Sequence, residues 1–138
     1  MADSSKWIAT IPTPSLANIG KIDIATELLA PYHNLMVHFL SDIDLSSLMF
    51  NLIDNAINAT KLCQRPFIKL HIEEKYHCLK VQIENSYDPK QMIEKKQGHG
   101  YGLRIIRDIV AAYHGDMTLK QEDGWFDVTI FLYEGESQ

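Results

Sequence analysis

The amino-acid sequence predicts an α/β (α+β) two-layer sandwich, with helices on one face of a mixed, mostly antiparallel sheet. Three observations carry this reading. Two segments space their apolar residues as helices do: Leu45, Leu48, Met49, Leu52, Ile53 and Ala56 in one, and the stretch from about Gly102 to Tyr113 in the other. Two alternating runs, Phe67 to Glu73 and Leu79 to Asn85, read as strands, and Met117 to Lys120 with Trp125 to Tyr133 reads as a second strand pair. Helices interleaved with such pairs pack as two layers around one core.

Taken in order, residues 1–19 contain Ser4, Ser5, Pro12, Pro14 and Asn18 and read as a lead-in, leaving 20–138 as one domain. Ile22 to Ala30 is a candidate short helix, stopped by Pro31, whose ring supplies no backbone donor. Leu35 to Leu40 reads as a strand. Asp42 and Asp44 are helix-start residues and set the first long helix at Leu45 to about Lys61. Residues 86–99 are polar and irregular, with Pro89 and three lysines. Gly115 is the candidate left-handed residue ending the second helix, and Glu122-Asp123-Gly124 is the turn between the last two strands.

A chain of 138 residues, 46% hydrophobic and 22% charged, is long enough to bury a core. Its net charge of −5 gives no electrostatic reason to expect nucleic acid or direct contact with an anionic membrane. Any polyanion must be held by local geometry and a metal. Cys63 and Cys78 lack metal-ligand spacing, so reduced thiols in a cytoplasmic compartment are expected. No apolar run approaches the roughly 20 residues that a membrane-spanning helix needs.

The segment Asn51-Leu52-Ile53-Asp54-Asn55-Ala56-Ile57-Asn58-Ala59 is the most informative. At about 100° per residue, Asn51, Asp54, Asn55 and Asn58 form a narrow polar stripe beside the core face. Asn and Asp are mediocre helix formers, because their side chains compete for the backbone. Oxygen ligands for a hard cation would justify them, and neutral oxygens suit a site whose negative charge arrives with a nucleotide. An Asn-rich solvent face is the plainer alternative.

Gly98-His99-Gly100-Tyr101-Gly102-Leu103 follows the polar loop and opens the second helix. Such glycines permit positive φ and close approach of a ligand to the backbone, and helix-start amides attract phosphate. A simple turn needs the same glycines. No Gly-Lys-Ser/Thr is present and no βαβ unit surrounds the glycines, which excludes a P-loop and a dinucleotide fingerprint.

Together and in this order, the two elements resemble the N box and second glycine box of the GHKL ATPase superfamily: gyrase, the heat-shock chaperone, histidine kinases and MutL. The likeness runs from about Lys21 to Tyr133, and its two motifs look most like the peptide-sensing receptor histidine kinases of Gram-positive bacteria. The resemblance implies a Bergerat-type ATP-binding fold and the catalytic domain of a sensor histidine kinase using ATP and Mg. It implies Asn55 as metal ligand, Asn51 as a second contact to the metal-phosphate group, and backbone contacts from Gly98, Gly100 and Gly102, flanked by His99, Tyr101 and Leu103. Asn58 falls where related kinases often carry a basic residue. Residues 86–97 would form the ATP lid.

Three departures stand out. Asn85-Ser86-Tyr87-Asp88-Pro89 replaces the adenine-reading Asp-x-Gly-x-Gly box, so the Asn85 oxygen is the candidate acceptor for the adenine amino group. The phenylalanine-bearing lid motif is missing, and so is a Gly-Thr before the last strand. Of the six histidines, His33, His38, His71, His77 and His114 read as surface or packing residues. Arg104 and Arg107 read as solvent-facing.

The implied partners are a histidine-bearing dimerisation module and a response regulator, with this domain the cytoplasmic part of a membrane-anchored receptor. The alternatives are a stand-alone ATPase or anti-sigma-type serine kinase of the same fold, or a degenerate nucleotide-binding module. Hydrolytic relatives carry a Glu base where Asn51 stands.

Overall fold

The computed structural model describes residues 7–11, 28–32, 37–61, 63–90 and 100–135, those at 7–11 and 100–102 by backbone alone. Five strands form one sheet: β1 (Trp7–Ile11), β2 (Ile68–Lys75), β3 (Cys78–Ser86), β4 (Asp116–Glu122) and β5 (Trp125–Tyr133). Their spatial order is β1-β2-β3-β5-β4, and all four pairings are antiparallel. Helix α1 (Asp42–Thr60) lies over β2 and β3, helix α2 (Gly100–Ala112) packs beside it over β4 and β5, and both share one face of the sheet.

Period-2 alternation explains the sheet. Leu70, Ile72, Val81, Ile83, Val128 and Ile130 point at the helices, and the register stacks them as Leu70–Ile83–Val128 and Ile72–Val81–Ile130. Leu48, Leu52 and Ile53 of α1 and Ile106 of α2 close the core from above, each at most 2% exposed. Burial of such a side chain stabilises the fold by roughly 1.5–3 kcal/mol. The opposite face is polar. There Trp125 Nε1 donates to Glu84 at 3.0 Å, and the buried Asp127 accepts from Gln82 at 2.9 Å and Thr129 at 3.0 Å.

Helix α1 begins three residues before the expected Leu45 because Ser41 caps it, its Oγ accepting from Asp44 N at 3.1 Å. Asp44 in turn accepts from Tyr113 Oη, tying the start of α1 to the end of α2.

Leu35 to Leu40 is not a strand in its described part. Val37 to Leu40 form a turn, Leu40 N donating to Val37 O at 3.3 Å, which aims both Val37 and Leu40 into the core. An apolar run supports either geometry, and burial of positions three apart selects the turn. Of the predicted Ile22–Ala30 helix, Leu28 and Leu29 are helical and lead into a 3-10 turn, Ala30–Tyr32, so the chain continues helically through Pro31; the rest of that segment lies outside the described residues. Tyr32 donates to Leu70 O at 2.9 Å, and burial raises its hydroxyl pKa to about 12.

The left-handed residue ending α2 is His114, at φ 55°, not Gly115. His114 N bonds Ala111 O at 3.2 Å and Gly115 N bonds Val110 O at 2.8 Å, which is a Schellman closure. Gly115 is needed for space instead, because a Cβ there would stand 2.1 Å from Phe131 O. The β2–β3 hairpin turns on Tyr76 and His77, both at positive φ, 52° and 64°.

Candidate functional site

Helix α1 presents Asn51, Asp54, Asn55 and Asn58, all half-buried, along the edge of its core face. Asn51 Nδ2 donates to Ser47 O, one turn back, at 2.7 Å. A carbonyl can only accept, so this bond settles which way the carboxamide faces and leaves Oδ1 as its outward group. Asn58 Nδ2 donates to Asp54 Oδ2 at 3.4 Å, a weak bond at the limit of useful geometry. Asn55 makes no side-chain hydrogen bond to another described residue. The stripe therefore offers at least two carboxamide oxygens that local structure does not consume. Among the described residues, no group of three His, Cys, Asp or Glu is placed to hold a metal. A cation here would be held by neutral oxygens and the phosphates of its ligand.

Asn85 lies near the end of β3 on the helix-facing side, 3% exposed, in a cross-strand row between Ile68 and Phe126. Its Nδ2 donates to Ser86 O at 2.9 Å. Beside it stand Phe126, partly buried against the core, and Tyr87, whose rings meet edge to face at 6.4 Å. Tyr87 is fastened by its N–H to Gly124 O at 3.2 Å and by its hydroxyl, which accepts from Gln121 at 3.0 Å. Sequence reasoning nominated Asn85 and missed the two aromatics. Tyr87 was in view two positions on, whereas Phe126 reaches Asn85 only through the strand register.

Gly98 and His99 lie outside the described residues, as does most of the predicted lid. Gly100, Tyr101 and Gly102 form the first turn of α2, two residues earlier than expected. Gly100 and Gly102 are thus helical and not at positive φ; what they offer a ligand is the absence of a side chain over the first-turn amides. No acidic residue stands in that turn to compete for those donors. Leu103 is half-buried and packs on the core. Arg104 and Arg107 are exposed.

The described histidines fall in ordinary places. His38 is exposed, His71 lies 3.8 Å from Glu73, and the exposed His77 meets Glu134 at 2.7 Å. His114 terminates α2. His33 lies outside the described residues. No described helix is long and apolar enough to cross a membrane.

An antiparallel sheet with both helices on one face is also the fold of solved catalytic domains of histidine kinases. Solved structures share it: the nucleotide-free catalytic domain of histidine kinase ThkA, at a TM-score of 0.57 and 18% identity over 93% of this chain and 98% of that one, and the Acinetobacter baumannii kinase AdeS, at 0.56 and 12% over 94% and 68%. The histidine kinase domain of the Erythrobacter litoralis blue-light-activated kinase EL346 matches at 0.54 and 17% over 66% of this chain, which spans 43% of that domain. Comparison with curated proteins found no match. A family model of the GHKL domain matches residues 40–133, more than half of the chain, and the chain belongs to that family.

Proposed function

We propose that this domain binds Mg-ATP between the asparagine stripe of α1 and the start of α2, and donates the γ-phosphoryl group to a histidine on a separate dimerisation module. The observation that carries the reading is the pair of unconsumed carboxamides: Asn51, with Nδ2 engaged and Oδ1 outward, and Asn55 without a side-chain partner among the described residues. Magnesium bound there would neutralise phosphate charge. Asn55 and Asn51 would hold and orient the metal-phosphate group, the first-turn amides of α2 would meet the phosphate oxygens, and Asn85 would accept from the adenine amino group. Gly98 and His99 would extend the phosphate contacts, and Asn58 would act through Asp54. Transfer then rests on positioning and electrostatics.

The acceptor module, a response regulator, a membrane anchor on the parent and a cytoplasmic setting complete the proposal, with the peptide-sensing receptor kinases as model. A hydrolytic switch fits less well. The Asn51 carboxamide has no useful basicity near neutral pH, so general-base activation of water, typically worth about 10²–10⁴-fold, is unavailable.

Incubation of the chain with γ-labelled ATP tests the proposal. Very slow phosphate release and no acid-labile label on the chain are expected, with Asn51→Glu raising hydrolysis measurably. Rapid release by the wild type, little changed by Asn51→Glu, would favour the stand-alone ATPase. Acid-labile label would show that a histidine of this chain is an acceptor, with His99 the first to mutate.

A further inference from the structure

We propose that β4, at one edge of the sheet, docks a second copy of this chain, the two β4 strands pairing antiparallel about a two-fold axis at Thr118. This surface involves neither the asparagine stripe nor the start of α2, and it stands without ATP binding.

The order β1-β2-β3-β5-β4 leaves one side of β4 without a partner strand among the described residues. Which of its backbone groups face outward follows from β5, because residues of an antiparallel strand point their N–H and C=O groups to alternate sides. Glu134 N donates to His77 O, on the β3 side, and Tyr133 N donates to Tyr113 O, on the β4 side. Even-numbered residues of β5 therefore bond toward β3 and odd-numbered ones toward β4. In β4, Asp116, Thr118, Lys120 and Glu122 face odd-numbered partners and use their backbone groups on β5. Met117, Leu119 and Gln121 turn theirs outward. The edge thus carries a regular row of donors and acceptors, a ready template for another strand. Leu119, on the helix-facing side, is 40% exposed, and Asp116, Thr118 and Lys120 are exposed on the other side.

The sequence of β4 selects one register. Only outward-facing residues can bond one another, so the two-fold axis passes through a residue. Registers overlapping the two strands substantially are centred on Thr118, Leu119 or Lys120. Centring on Leu119 sets Asp116 against Glu122 twice, and centring on Lys120 sets that lysine against its own copy. Centring on Thr118 sets Asp116 against Lys120 twice on the polar side, and Met117 against Leu119 twice on the helix side. Like charges directly opposite are unfavourable and opposite charges favourable. Each Met117–Leu119 pair then exchanges both of its N–H···O bonds. Charged residues on an edge commonly keep other strands away. Here, Asp116 and Lys120 lie symmetrically about Thr118, so the same charges attract an antiparallel copy.

Sedimentation velocity of the wild-type chain from about 10 µM to about 1 mM, beside Asp116→Lys and Leu119→Pro, tests this. The wild type should dimerise with a dissociation constant on the order of 100 µM, as befits a small interface, and more weakly as salt is raised. Asp116→Lys sets like charges face to face in both pairs and should raise that constant at least about tenfold. Leu119→Pro removes an outward N–H and no bond to β5, and should weaken the dimer similarly. Mixing Asp116→Lys with Lys120→Glu should restore association, because one chain is then basic at both positions and the other acidic at both. Circular dichroism checks the fold of each variant. A wild type that stays monomeric throughout the range would overturn the proposal, as would a dimer that Asp116→Lys and Leu119→Pro leave unchanged. A dimer weakened by Leu119→Pro alone, or no recovery in the mixture of folded variants, would overturn the register. Should Leu119→Pro or Lys120→Glu fail to fold, Asp116→Lys against the wild type still decides.

Discussion

Helix α1 begins on Ser41, whose Oγ closes onto Asp44 N, and continues with Asp42 and Asp44. Helix α2 begins on Gly100-Tyr101-Gly102, with no acid in its first turn, and reserves its tight closure for the other end, at His114 and Gly115. Each helix satisfies one part of itself internally and, on the proposed function, leaves another part to a ligand. In α1 the start is self-contained and the middle offers oxygens; in α2 the start offers N–H groups and the end is self-contained. A metal-phosphate group needs both kinds of partner, and the packing of α1 beside α2 brings the two helices together.

Substitutions that strike a self-contained part should lower stability alone, and those that strike a ligand-facing part should lower binding alone. The largest stability effect belongs to Gly115→Ala. Its Cβ would meet a backbone oxygen at 2.1 Å that cannot yield without moving β5, so a loss of about 3 kcal/mol is expected in urea unfolding. Gly102→Ala should act in the opposite direction. Placed in helical backbone, alanine should stabilise the fold by up to about 1 kcal/mol, while covering the first-turn amides should weaken Mg-ATP binding roughly tenfold, about 1.4 kcal/mol. A binding loss that merely tracks a drop in melting temperature would mean the glycines only make a turn. Ser41→Ala should lower stability by about 1 kcal/mol and leave ATP affinity unchanged.

A further expected effect is a pH dependence away from the site. Tyr32 holds its proton to about pH 12 in the folded state, against an ordinary value near 10. Its contribution is therefore complete below pH 10 and is lost as pH rises toward 12, when the unfolded chain ionises first. Tyr32→Phe should be the less stable protein at pH 8, and the gap in urea midpoint should narrow between pH 10 and 12. A gap that stays constant would show that Tyr32 is not held neutral by burial.

Much of this was legible in the sequence. The apolar period placed both helices, and alternation placed four strands to within two residues at their boundaries; the cost of Asn in mid-helix drew attention to the stripe Asn51, Asp54, Asn55 and Asn58, whose role belongs to the proposal. The misses have physical causes. Leu35–Leu40 offered an apolar run that fits a strand or a turn, and only burial of Val37 with Leu40 decides. The positive-φ position fell on His114 because the adjacent Gly115 was needed for close approach to Phe131. Tyr76-His77 makes its turn without the Asn or Gly that would announce it. Strand β1 sits in a stretch that read as lead-in, and it joins the sheet only by pairing with β2, some sixty residues on. The aromatic corner at Asn85 likewise exists only once β3 and β5 are in register.

The most direct test of the account is calorimetric titration of the wild type and Asn55→Ala with ATP, with and without magnesium. Alanine removes one oxygen ligand and is the better helix former, so folding should survive the substitution. The account predicts magnesium-dependent binding by the wild type, with a dissociation constant on the order of micromolar to millimolar, and its loss in a folded Asn55→Ala protein. A folded Asn55→Ala protein that binds Mg-ATP as tightly as the wild type, or a wild type indifferent to magnesium, would contradict it.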